Sequence, residues 1–206
     1  RSVKVCRQPG RPRLSPRNRR RPPNSGSRRR GTIRGGAATL GAMYEELLAE
    51  LAAGPRAAAH LVAELDEARF GTPAAGDWPP RTILAHLRDD EYLCLRLALE
   101  RMLAEDDPAV RFIDGADWEA GRNRSRDRKE QLLADYALQR QATLGILALL
   151  EPAQWQRAAT REGARFTVAE LVQGWARHDR EHIAQLEAAC GETLAQVRER
   201  RATWEA

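Results

Sequence analysis

From residue 43 to about residue 67 the apolar positions Leu47, Leu48, Leu51, Ala58, Leu61, Val62 and Leu65 recur at intervals of three and four, the spacing of one helical face. Gly54-Pro55 falls inside this stripe and predicts a kink, because proline removes an intrahelical donor. Between Phe70 and Pro80 the breakers Gly71, Pro73, Gly76, Pro79 and Pro80 predict a loop, with Trp78 folded inward from it. A second helix is expected over about 81–104, with Ile83, Leu84, Leu87, Leu95, Ala98 and Met102 on its buried side and Asp106-Asp107-Pro108 ending it.

The stretch that follows, to about residue 126, is polar and irregular. At roughly twenty residues it is long for a bundle connection and reads as a crossover past one end of the bundle. Leu132, Leu133, Tyr136, Leu138, Leu144, Leu147 and Leu150 mark a third helix over about 127–150, stopped by Pro152. The fourth opens at Thr167-Val168-Ala169-Glu170, a capping box in which the Thr hydroxyl and the Glu carboxylate each satisfy an orphan amide, and it runs to Cys190-Gly191. Residues 191–206 read as a charged tail or short helix, since Arg198 to Arg201 leave little apolar face. No strand alternation of useful length and no fixed-period repeat is visible, so the expectation is an all-α four-helix bundle over 43–190.

Charge divides the chain differently. Residues 1–42 hold twelve Arg and Lys4 with no acid, so they supply +13 while the remainder carries −8, giving the net +5. Such a segment buries too little apolar surface to offset its chain entropy and is expected to be disordered. It lacks aromatic residues to stack bases, and the rest of the chain is acidic, so nucleic acid is not the expected partner. The first Met is Met43, where the helical pattern begins, so a start site placed too far upstream is the simplest account of the tail. Cys6, Cys94 and Cys190 form no CxxC pair, which indicates neither a disulfide framework nor a thiolate zinc site and fits a reducing cytoplasm. No apolar run reaches the eighteen or so residues of a membrane helix, and no apolar segment follows the basic tail, so no membrane partner is expected.

The chemistry concentrates in histidine. His178-Asp179-Arg180-Glu181-His182 puts two imidazoles at i and i+4, about 5–6 Å apart at Cβ and able to chelate one metal ion. They continue a row formed by Leu171, Trp175, Gln185 and Leu186, so they point inward. His86, one turn after Ile83 and beside Leu87, also faces the interior. Each alone could be a core histidine bonded to a neighbour, the assignment retained for His60. A shared ion explains all three at once. Three neutral imidazoles leave a position open to water or substrate, as in catalytic rather than closed sites. Zinc is favoured on ligand type, with nickel, iron or manganese as alternatives. Asp90, at i+4 from His86, together with Asp89, Glu91, Asp179 and Glu181, are the candidate outer-shell carboxylates, solvation being the alternative for each. His178-x-x-Glu181-His182 also matches the inverted zincin string, but that pattern needs a Glu ligand well downstream and only 24 residues follow His182.

Trp78 followed by Arg81-Thr82-Ile83-Leu84-Ala85-His86-Leu87-Arg88-Asp89-Asp90-Glu91, and then His178-Asp179-Arg180-Glu181-His182-Ile183-Ala184-Gln185-Leu186, resembles the DinB-like superfamily over about residues 43–190. The first run is similar to that family's tryptophan and His-Leu-x-x-x-Glu segment, the second to its His-x-x-x-His helix ending in Gln-Leu. This resemblance implies a bundle in up-down-down-up order with His86, His178 and His182 as metal ligands. It further implies a metal-dependent transferase joining a low-molecular-weight thiol, of the mycothiol or bacillithiol type, to an electrophilic small-molecule substrate, in a homodimer. The family name implies no DNA binding. The use of 32 Arg against two Lys hints at a GC-rich genome, where a mycothiol-type cosubstrate fits. Because no further acid, base or nucleophile stands out, a non-catalytic metal-binding, stress-associated module acting through a partner surface is the alternative. Which metal, thiol and electrophile are used depends on pocket shape and on loop residues such as Arg122, Asn123 and Arg124.

Overall fold

The structure, a computed structural model, describes residues 35–113, 115–122, 124 and 127–204. Residues 1–34, which make up most of the basic segment, and Asn123 lie outside the described residues. Helix α1 (Gly35–Val62) starts eight residues before Met43, so the helix takes in the end of the segment expected to be disordered. It also passes through Pro55 without interruption. Proline deprives the carbonyl four residues earlier of its donor, and here that carbonyl, Leu51 O, accepts the Arg140 Nη1–H at 2.6 Å instead. A foreign donor thus repairs the defect that the sequence predicts as a kink.

After the single turn α2 (Glu67–Phe70), capped by Asp66 accepting the Arg69 N–H at 2.8 Å, the second long rod is built in three pieces. These are α3 (Pro80–Asp90), a π-helical turn (Glu91–Arg96) and α4 (Leu97–Ala104). Pro80 sits at the start of α3, where its missing donor costs nothing. The crossover is less irregular than expected, since it holds α5 (Gly115–Gly121), whose Trp118 is buried. Helix α6 (Lys129–Ala148) is followed by a 3-10 turn (Gln154–Gln156) and a two-stranded antiparallel hairpin, β1 (Ala158–Arg161) with β2 (Ala164–Thr167), pairing Ala158 with Thr167.

The hairpin corrects the expectation that the chain contains no strands. Four-residue strands are too short to show alternation. The turn residues Glu162 (φ 52°) and Gly163 (φ 80°) both adopt the left-handed conformation that matches the twist of two-residue hairpins. Val110 N–H donates to Thr160 O and Thr160 N–H to Pro108 O, each at 2.9 Å, so the hairpin pins the start of the crossover. Helix α7 (Val168–Cys190) has the expected capping box, with Glu170 N–H to Thr167 Oγ1 at 3.2 Å and Thr167 N–H to Glu170 Oε2 at 2.8 Å. Gly191 ends it at φ 74°. The final segment is α8 (Leu194–Trp204), anchored by buried Val197 and by Arg201 donating to His60 Nδ1 at 2.7 Å.

Helix α1 packs on α6 and α7, and α3 on the same two. The core has two apolar clusters. One contains Leu51, Leu95, Leu99, Leu147 and Val172; the other contains Ala58, Ile83, Leu87, Tyr136 and Leu186. Along α1 and α7 the chain passes from the first cluster to the second, and along α3–α4 and α6 from the second to the first. The order is therefore up-down-down-up, and the crossover must carry the chain back the length of the bundle. Gly54, Glu91, Arg140 and Asp179 fall between the two clusters on the four rods, and this level holds the polar chemistry.

Candidate metal centre

His86 comes from α3, and His178 and His182 from successive turns of α7. One ring nitrogen of each lies within 4.8 Å of the other two. The ring centroids are 4.6 Å apart for His86–His182, 4.4 Å for His178–His182 and 5.5 Å for His86–His178. Burial of a polar nitrogen costs free energy unless it has a partner, yet His86 Nδ1 and both nitrogens of His178 are buried with no hydrogen-bond partner among the described residues. His182 is oriented, its Nδ1 lying 2.9 Å from Gln185 Oε1. Because an amide oxygen only accepts, Nδ1 carries the proton and the Nε2 lone pair is left free.

The three rings hold protons unequally. Burial pulls His86 down to about 4, against Asp90 and reinforced by the other two histidines. Burial also lowers His182, with His178 acting in the same direction. At His178 burial is outweighed by the Asp179 and Asp90 carboxylates, which push it up to about 9. These directions favour a metal-free cluster near neutral pH with one positive charge, on His178, beside two neutral imidazoles.

Asp90 Oδ2 lies 3.5 Å from His86 Nε2 and 3.6 Å from His178 Nε2, ion-pair distances rather than hydrogen bonds, and its buried Oδ1 has no hydrogen-bond partner among the described residues. Three tryptophans surround the rings. Trp175 stacks on His178 at 4.7 Å, while Trp78 and Trp118 meet His86 edgewise at 5.3 and 4.9 Å. Trp118 Nε1–H donates to Asp89 Oδ2 at 2.9 Å, tying α5 to α3. Sequence reasoning missed Trp118 because it lies in a polar stretch without periodicity; its sole signal was an indole unlikely to stay in water.

The other expected carboxylates separate. Asp179 Oδ1 sits 3.6 Å from His178 Nδ1, and its Oδ2 accepts from Arg140 Nη1 at 2.6 Å. Glu91 is fully buried and pairs with Arg140, accepting from Nε at 2.8 Å and Nη2 at 2.7 Å. Glu181 is exposed, and the structure gives it no role at the cluster. Arg122 is buried against Asp127 and Thr82 with its guanidinium over Trp118, whereas Arg124 is exposed beside Glu119. The Asp90 carboxylate beside two of the rings places negative charge against the nitrogens, as a divalent cation requires. The convergent nitrogens without partners, the oriented His182 and this charge fit such an ion.

The sequence profile of the DinB superfamily matches residues 50–186. YfiT from Bacillus subtilis, a solved structure described as a probable metal-dependent hydrolase with an unusual four-helix bundle topology, superposes with a TM-score of 0.64. The match covers 82% of this chain and 95% of that chain at 19% sequence identity, so it is the fold that the two share. No curated protein matches the chain at a significant level. Since the profile spans both the His86 segment and the His178–His182 helix, the chain belongs to the DinB superfamily.

Proposed function

We propose that His86, His178 and His182 hold one divalent ion, zinc on ligand type, and that the chain is a metal-dependent enzyme transferring a low-molecular-weight thiol to a small-molecule electrophile. One observation carries this reading: three imidazoles from two helices converge within 4.8 Å, and three of their buried nitrogens have no hydrogen-bond partner among the described residues. When bound by these three residues, such an ion would supply the Lewis acidity that lowers the pKa of a thiol or of water towards neutral pH. Asp90, beside two of the rings, accepts the proton the thiol gives up. Trp78, Trp118 and Trp175 exclude bulk water and give an apolar electrophile a wall to lie against. The thiolate sulfur would then form the new C–S bond as the bond from that carbon to its leaving group breaks, the leaving group taking the bonding pair and the proton held by Asp90.

Hydrolysis is the second reading, favoured by the same Asp90 acting on water and by the description of YfiT. Elemental analysis of desalted protein tests the shared premise: about one ion per chain in the wild type and none in His182→Ala, with helical circular dichroism retained. A His182→Ala protein that loads metal normally would sink both readings. Turnover that requires added mycothiol or bacillithiol selects transfer, whereas thiol-independent turnover selects hydrolysis. A homodimer in the cytoplasm is the proposed setting, checked by light scattering and by fractionation.

A further inference from the structure

Arg140 is 1% exposed and occupies the level between the two apolar clusters, where no sequence pattern required a charge. Its donors reach residues on all four rods of the bundle. Nη1 donates to Asp179 Oδ2 and Leu51 O, Nε and Nη2 to Glu91 Oε2, and Nη2 also meets the Tyr136 hydroxyl at 3.3 Å. The neighbouring helices are shaped for it. Pro55 leaves the Leu51 carbonyl without its helical donor, and Arg140 supplies one. Gly54 lets the cluster approach α1, since a Cβ there would lie 2.9 Å from Asp179 Oδ2 and 3.0 Å from the Tyr136 oxygen. Glu91 opens the π-helical turn immediately after Asp90, so these adjacent residues serve different partners, Asp90 the histidines and Glu91 the guanidinium.

What this arrangement holds is Asp179. With Oδ2 fixed by Arg140 and Tyr136, the buried Oδ1 lies 3.6 Å from His178 Nδ1, and neither of these two atoms has a hydrogen-bond partner among the described residues. A movement of under about 1 Å would bring them to hydrogen-bond distance, placing the proton on Nδ1 and freeing Nε2. We infer that Arg140 is a positioning residue for the metal centre, acting through Asp179 to fix the ring orientation and tautomer of His178. This inference rests on the metal-binding reading above.

The test uses the full chain and cobalt(II) as the probe, with affinity read by competition against a chromophoric chelator and geometry from the cobalt ligand-field absorption. Arg140→Lys, which keeps the charge and loses the fork, is expected to weaken cobalt binding about 10- to 100-fold, as is Asp179→Ala. The double variant should bind no more weakly than Asp179→Ala alone, because the effect of Arg140 passes through Asp179. Tyr136→Phe, which removes only one hydroxyl from the cluster, provides a folded variant with a smaller loss in the same direction. Leu99→Ala serves as control: a destabilised core with wild-type cobalt affinity. Unchanged affinity in both Arg140→Lys and Tyr136→Phe, or losses that multiply in the double variant, would overturn the positioning role while leaving the metal site standing. A wild-type chain that binds no cobalt would instead remove the metal reading itself.

Discussion

Leu99 and Arg140 are both sealed from solvent, at 0% and 1% exposure, yet one lies among apolar side chains and the other among carboxylates. The apolar clusters on either side of the polar level are non-directional, so neighbours of similar volume can replace one another. The polar level is directional: Arg140, Glu91, Asp179, Tyr136 and the Leu51 carbonyl fit in one arrangement. Buried charge of this kind is not an efficient way to stabilise a bundle, because desolvation offsets most of the attraction. Its presence makes sense where orientation matters, and the histidines sit directly against it.

The largest expected effect comes from breaking the polar level. Arg140→Met leaves Glu91 and Asp179 buried without their cation and should lower unfolding free energy by about 3–5 kcal/mol, measured by denaturant titration. Leu99→Ala in the apolar layer should cost about 2–5 kcal/mol by the cavity it leaves. The comparison fails if Arg140→Met turns out to be nearly neutral.

Proton linkage sharpens the contrast further. In chelator-treated protein His178, raised to about 9, contributes stability that is complete below its unfolded value of 6.5 and is lost as pH rises towards 9. His86, lowered to about 4, contributes stability present above 6.5 and lost as pH falls towards 4, with His182 in the same direction. Metal-free stability should therefore peak near pH 6.5 and fall by on the order of 3 kcal/mol on each side from these groups. The peak should flatten in a His86→Ala/His178→Ala variant; a profile unaltered by those substitutions would contradict the assignment. The smallest effect lies far from the polar level, where Thr167→Ala removes the cap of α7 and should cost about 1 kcal/mol, with cobalt affinity unchanged.

The sequence bears differently on different parts of the molecule. Helix α7 was legible at both ends because its signals, the Thr167–Glu170 box and Gly191, are local. His178 and His182 were legible as a pair for the same reason, since four residues of helix bring two side chains to one face. The hairpin and α5 were not legible, being too short to carry a period, and the π-helical turn escaped because nothing in Glu91–Arg96 distinguishes it from an α-helical run. Gly54-Pro55 was read as a kink, whereas its meaning lies in a side chain 85 positions beyond Pro55.

By itself the sequence determined the four amphipathic rods, the long crossover and the inward face of each histidine, because these follow from periodicity and local capping. Only the tertiary structure decided that α3 and α7 lie close enough to bring His86 to His178 and His182, that Trp118 meets His86 edgewise, and that Glu91 pairs with Arg140. It also revealed Arg140 as the residue that ties Gly54-Pro55, Glu91 and Asp179 together. The physical reason is that hydrogen bonds and charges between distant helices depend on distances that no spacing along the chain encodes.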